Sequence, residues 1–385
     1  MGNLVFVINC GSSSIKFMLI DPSSNEVYLK GLAENIGSAS CRVSFGDQKK
    51  ELPLENYTEV LERIVELVIP YEEELCAIGH RVVHGGEDFT KSVIVDAKVL
   101  SKIRKCSHLA PLHNPVNALG IEVFSQYLKQ VPNIAVFDTA FHTTMQERAF
   151  LYALPLDYYE KYQIRKYGFH GTSHRYVSGL AQSLFTPNKR LIIAHLGNGC
   201  SVCAIKDGKS EDTSMGFTPL EGLMMGTRSG DVDASIIPFL SHELSITSND
   251  VINILNKKSG LLGIYGGSSD MRLIEEKAKQ GDVRAKLAIE MFCYHLAKYI
   301  YSYIVPLGGL DGLIFTGGIG ENSSHIRSKV VELLPTIEID ENLNKNHKRG
   351  SFQIISPTGK TVVAIIPTNE ELLIAQDAFS LVRSS

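Results

Sequence analysis

The order strand, glycine-rich loop, strand, turn, strand is written twice in this 385-residue chain, about 190 residues apart. The first copy runs Leu4–Asn9, a Gly/Ser loop, Ile15–Ile20, the turn Asp21-Pro22-Ser23-Ser24-Asn25 and Glu26–Leu32. The second runs Leu191–His195, a Gly/Asn loop, Ser201–Ile205, the turn Lys206-Asp207-Gly208-Lys209 and Ser210–Ser214. Short apolar runs bounded by turn residues read as strands, and Asp-Gly is a strong hairpin signal. Copies this far apart point to a structural duplication rather than a short tandem repeat. A chain of this length also exceeds what one core ordinarily holds, so two domains are expected.

Helical patterns fill the intervals. Tyr57–Val68 places Leu61, Ile64, Val65 and Val68 on one face, with Asn56 as cap and Glu59 three residues on. Asn114-Pro115 reads as a cap followed by a first-turn proline for Val116–Leu128. Asn249–Asn256, Met271–Gln280 and a final Glu370–Val382, capped by Asn369, complete the set. Strands alternating with helices imply α/β architecture, with a domain boundary near residues 143–150.

Three apolar runs end in loops of small residues that could cradle an anion. These loops are Asn9-Cys10-Gly11-Ser12-Ser13-Ser14, His195-Leu196-Gly197-Asn198-Gly199 and, after Leu313–Thr316, Gly317-Gly318-Ile319-Gly320-Glu321-Asn322. Small residues after a buried strand let backbone N–H groups approach a phosphate. Common alternatives fail: Gly208-Lys209-Ser210 and Gly359-Lys360-Thr361 lack the upstream glycine of a P-loop, and no GxGxxG, GxSxG or HExxH is present.

The His80/His84 and His170/His174 pairs leave a zinc-dependent hydrolase as a rival reading. The composition, 44% apolar and 21% charged with a net charge of −4, points to a globular protein with neither nucleic acid nor a membrane as partner. The N-terminus lacks signal-peptide organisation. Ala285–Leu307 contains Lys286, Glu290, His295 and Lys298 and reads as a mostly buried helix rather than a membrane span. Seven scattered cysteines fit a reducing cytoplasm, and Cys200 and Cys203 read as two small buried residues.

Dense polar blocks remain: His80–Gly86, Phe137–His142, Tyr167–His174 and Asp212–Asp233. Charged residues beside glycines at strand ends fit a ligand site. The chemistry they suit is phosphoryl transfer, which needs cations and N–H donors more than covalent help. Arg81 and Arg228 can fork onto a carboxylate or phosphoryl group, and Lys16 can reach a phosphate. Asn9 and Glu370 are oxygen donors suited to Mg²⁺, although Glu370 by itself reads equally as a charge complementing a helix dipole.

As a set these blocks resemble the acetate kinase family, within the superfamily of acetate and sugar kinases, heat-shock chaperones and actin. The resemblance is carried by Asn9–Lys16, His80–Gly86, Leu112–Pro115, Phe137–His142, Tyr167–His174, His195–Ser201, Asp212–Asp233, Ser269–Arg272, Phe315–Ser323 and Pro367–Glu371. It implies two duplicated ribonuclease-H-like domains with a cleft between them, at 1–147 and 148–372, with helix 373–385 packing back on the first. It also implies a cytoplasmic homodimer that transfers the ATP γ-phosphoryl group reversibly to acetate, giving acetyl phosphate and ADP. Mg²⁺, or Mn²⁺, would be the metal.

By the same resemblance Lys16, Ser12, His195, Leu196, Gly197, Asn198, Gly199, Asp270, Met271, Arg272, Gly318, Ile319, Gly320, Glu321 and Asn322 hold the nucleotide, and Asn9 and Glu370 the metal. Arg81 with His113 binds the substrate, while Val83, Leu112, Phe169 and Pro219 surround its methyl group. His170 and Arg228 stabilise the transition state, and Asp138 matches the residue assigned to proton transfer. Physical reasoning qualifies that last role. A small carboxylic acid is already ionised at neutral pH and needs no base, so Asp138 is expected to orient Arg81 or a metal-bound water. Rival readings are a propionate or butyrate kinase and an ATP-gated binding protein.

Overall fold

The computed structural model describes residues 2–52, 56–184 and 190–384. The chain divides into two units, Met1–Thr143 with Asn369–Ser385, and Thr144–Thr368.

The first unit is built on strands β1 (Leu4–Cys10), β2 (Ser14–Asp21), β3 (Glu26–Glu34), β4 (Arg42–Phe45), β5 (Gln48–Glu51), β6 (Leu75–Val82), β7 (Val93–Ile94) and β8 (Asn133–Phe137). They form one mixed sheet in the order β5-β4-β3-β2-β1-β6-β8-β7. The second unit holds β9 (Arg190–Leu196), β10 (Cys200–Lys206), β11 (Lys209–Thr213), β12 (Gly312–Thr316), β13 (Gln353–Ile354) and β14 (Val362–Ile365), in the order β11-β10-β9-β12-β14-β13.

The duplication seen in the sequence extends through both sheets. In each, an antiparallel three-strand meander is joined through its first strand to two parallel strands, and a two-residue antiparallel strand closes the far edge. Parallel neighbours require crossovers, which the helices supply. β1, β8, β9 and β12 are almost wholly buried, as their unbroken apolar sequences demand.

Local signals explain the helix ends. Asn56 accepts from Glu59 N–H while the Glu59 carboxylate accepts from Asn56 N–H, closing a capping box. Asn369 accepts from Leu372 N–H and starts helix Glu370–Arg383. That helix lies on β6, where the absent side chain of Gly79 leaves room for Ile374.

Two expectations are corrected. Helix Asn114–Tyr127 begins one residue earlier than read, with His113 at the cap position. The buried Asn114 side chain instead ties down His84, accepting from its N–H and donating to its C=O. The segment read as a mostly buried helix is helix Val283–Ser302 followed by Ile304–Leu307, and only one face is inside. Val283, Leu287, Tyr294 and Tyr301 are exposed along the other.

His80 lies inside the first unit, where its Nε2 donates to Asn133 Oδ1 at 2.7 Å. Burial holds its pKa down at about 4, against the Asn133 bond that favours the charged form. The unfolded chain takes up this proton below about pH 6.5 and the native state only near pH 4, so stability falls across that window. The loss amounts to about 3 kcal/mol at full titration. Thermal unfolding midpoints measured from pH 7 to pH 4 should fall less steeply in His80→Gln, which keeps a donor for Asn133. Equal slopes in the two proteins would contradict this.

Candidate functional site

In the first unit strand register assembles the polar cluster. Asn9 stands opposite Lys16 on β2 and opposite Arg81 on β6, so the three share one sheet face. Asp138 follows β8, its N–H bonded to Val82 C=O at 3.0 Å. Arg81 Nε donates to Asp138 Oδ1 at 3.0 Å, Nη2 donates to Oδ2, and Nη1 donates to Asn9 Oδ1 at 3.1 Å. Glu370 Oε2 lies 3.8 Å from Arg81 Nε. With the Asp138 side chain only 1% exposed, this is a desolvated fork-to-fork pair. Three of the five guanidinium N–H groups are engaged, leaving two for a ligand.

The cluster is rich in negative charge. Burial pushes the Glu370 carboxyl up to about 7; Arg81 is the strongest opposing influence, while Asp138 and Glu371 add repulsion and Lys16 a weaker attraction. Hard oxygen donors around uncompensated charge are what a divalent cation of the Mg²⁺ type accepts, so Asn9 and Glu370 fit that ion. Among the described residues no group of three or more His, Cys, Asp or Glu side chains is arranged to hold a metal. A two-donor set therefore leaves most of the shell to water and phosphate oxygens.

Lys16 and Ser12 are exposed on or beside the β1–β2 loop. That loop is pinned by Tyr57 Oη donating to Gly11 C=O at 2.7 Å and Asn117 Nδ2 donating to Cys10 C=O at 2.8 Å. Val83 is buried, and its N–H donates to Asn117 Oδ1 at 3.0 Å. Leu112 is 58% exposed, just before the half-buried His113. Asn114, Asn117 and Thr139, whose hydroxyl oxygen accepts from Gly85 N–H, are supports that sequence reasoning missed. For Asn114 and Asn117, both in helix Asn114–Tyr127, a polar side chain within an apolar helical face was the available signal.

In the second unit the loops after β9 and β12 come together. Gly317 adopts φ +76°, and a Cβ there would stand 2.8 Å from Leu196 C=O, so only glycine fits this turn. An open cavity of about 610 Å³ is lined by Gly197, Asn198, Asp270, Met271, Arg272, Gly318, Ile319 and Asn322, all singled out above. Ser268, Ser269, Glu275, Ser323 and Arg349 also line it. Ser268 and Ser269 adjoin Asp270 and Ser323 adjoins Asn322 in sequence, whereas Arg349 carries no local signal. Leu196 and Gly320 are buried behind the loops. The Glu321 carboxylate turns inward, accepting from the N–H groups of Gly317 and Thr368 at 2.9 and 3.1 Å.

His170 sits beside these loops with φ +56°, a conformation uncommon outside glycine. Its Nδ1 bonds to Ser201 Oγ at 3.0 Å, and His174 Nε2 reaches the same hydroxyl at 2.8 Å. The His170 ring lies 4.3 Å from the His195 ring, centroid to centroid, and His195 Nδ1 bonds to Ser173 Oγ at 2.8 Å. Phe169 is buried. A Cβ placed on Gly199 would lie 3.3 Å from the His170 ring and 3.4 Å from Arg228 Nη1, which brings these two side chains to one spot.

Arg228 is half-buried, its Nη1 donating to Pro219 C=O at 3.5 Å. Burial lowers its pKa, and among the described residues it forms no ion pair with a carboxylate. The guanidinium can therefore take up an anion.

The family model described as the acetokinase family matches residues 4–376. An acetate kinase from Treponema denticola is 48% identical, covering 98% of this chain and 100% of that one. Among solved structures, a propionate kinase from Francisella tularensis superposes with a TM-score of 0.94 at 46% identity, over 99% of this chain and 100% of that one. The acetate kinase of Porphyromonas gingivalis gives a TM-score of 0.92 at 41% identity, again over 99% and 100%.

Proposed function

This chain belongs to the acetokinase family, and from that premise we propose that it transfers the γ-phosphoryl group of ATP reversibly to acetate by direct in-line displacement. The products are acetyl phosphate and ADP. The observation that carries the reading is Arg228, a half-buried guanidinium beside His170 with no carboxylate partner among the described residues. A migrating phosphoryl group spreads negative charge over three oxygens and supplies the missing anion.

The remaining roles follow from chemistry. The cavity formed by Asn198, Asp270, Arg272 and Gly318 receives the nucleotide, and Lys16 a phosphate. The two free N–H groups of Arg81 take the acetate carboxylate, while Asp138 and Asn9 hold the guanidinium in place. Mg²⁺, held by Asn9 and Glu370, would neutralise phosphate charge. Val83, Leu112, Phe169 and Pro219 are offered as the apolar residues around the acetate methyl group. Helix Val283–Ser302 presents Leu287, Tyr294 and Tyr301 to solvent at helical spacing, an apolar stripe that supports a homodimer; a two-chain mass by light scattering is the check. Seven buried cysteines, none of them in a disulfide, support a cytoplasmic setting, and among the described residues no helix is long and apolar enough to cross a membrane.

The decisive test is a hydroxamate assay for acyl phosphate with acetate, ATP and Mg²⁺, repeated with propionate and butyrate. One methylene in an apolar pocket is worth about 1–3 kcal/mol, so acetate should lead propionate in kcat/KM by roughly 10–200-fold. A higher kcat/KM on either longer acid would reassign the substrate and keep the reaction.

A further inference from the structure

Resting on the reading above, we propose that Tyr152 and Glu221 form a positioning brace that sets His170 and Arg228 in a common geometry. The Tyr152 hydroxyl donates to Glu221 Oε2 and accepts from Phe217 N–H at 2.7 Å. Phe217 and Glu221 flank Pro219, whose carbonyl accepts from Arg228 Nη1. One phenol thus closes a five-residue loop around the carbonyl that steers the guanidinium.

The same brace reaches His170. The Gly216 carbonyl accepts from Tyr167 and Gly168 N–H, at 3.1 and 3.2 Å, immediately before Phe169 and His170. The Gly216 α-carbon is packed against both members of the brace, so that a Cβ there would collide with Glu221 Oε2 and Tyr152 Oη. From Glu221 the chain continues to Gly222, which exchanges hydrogen bonds with Asp231 and closes the loop carrying Arg228. Neither Tyr152 nor Glu221 lines the nucleotide cavity. Their influence on catalysis runs through backbone that carries both His170 and Arg228.

The brace predicts a split between kcat and KM. Tyr152→Phe should lower kcat about tenfold and leave the KM for ATP within about twofold, because the nucleotide loops are untouched. Glu221→Gln keeps an acceptor for the phenol and should retain most activity, whereas Glu221→Ala should match Tyr152→Phe. Gly216→Ala, which wedges a methyl group into the brace, should reproduce the loss without removing either member. In an Arg228→Ala background Tyr152→Phe should cost clearly less than tenfold, the remainder acting through His170, since groups acting through one another are not additive. Wild-type kcat in Tyr152→Phe and Gly216→Ala, or a full tenfold loss persisting in an impaired Arg228→Ala enzyme, overturns the brace alone. Unimpaired transfer by Arg228→Ala overturns the reading of the site as well.

Discussion

Arg228→Ala is expected to reduce kcat for acetyl phosphate formation by about 10³-fold while the KM for ATP changes less than about threefold. A thousandfold loss corresponds to about 4 kcal/mol of transition-state stabilisation. That magnitude suits a half-buried guanidinium, whose field is screened less than in bulk water. The cavity formed by Asn198, Arg272 and Gly318 does not include it, so ground-state nucleotide binding should survive. Arg228→Lys should recover only part of the loss, because an ammonium cannot fork onto two phosphoryl oxygens.

Stability should move the other way. Removing a cation that burial already destabilises, and that no carboxylate offsets among the described residues, should leave the thermal midpoint unchanged or raise it slightly. Steady-state kinetics and a thermal melt of the same preparation are sufficient. A kcat within tenfold of wild type, or a sharply lowered midpoint, would make Arg228 a structural residue.

Features written in local spacing were legible before any coordinates. The two meanders, the Asn56–Glu59 capping box and the Asn369 cap all appear where their residues indicated, because each depends on neighbours within a few positions. Partnerships set by register were not. Arg81 meets Asp138 across 57 residues, and Tyr152 meets Glu221 across 69, so only the assembled sheets and loops reveal them. Asn114 shows a local signal overridden by a distant one. Its type and following proline suggest a cap, yet the backbone of His84 offered a buried partner and took the side chain. The face of helix Val283–Ser302 was misjudged for a related reason. Composition reports how apolar a segment is, and the neighbours it packs against decide how much of it is covered.

Asp138→Asn is expected to lower kcat/KM for acetate by about 10²-fold and to leave both limbs of the pH–rate profile in place. The asparagine amide presents a donor to one of the two N–H groups that now meet carboxylate oxygen, so the fork on Arg81 opens and the guanidinium turns. The acetate subsite loses its geometry, and the effect should appear mainly in the KM for acetate. A true acid/base residue behaves differently. Its removal would abolish one limb and leave a pH-independent residual rate, whereas a carboxylate substrate with a pKa near 4 to 5 is already ionised when it attacks. Breaking a buried pair by removing one charge ordinarily costs about 3–5 kcal/mol. Here Glu370, 3.8 Å from Arg81 Nε, remains to compensate the cation, so a smaller loss, about 2 kcal/mol, is expected in chemical denaturation. Full activity in Asp138→Asn would separate Asp138 from Arg81 altogether, and a vanished limb with a near-intact plateau would return it to proton transfer.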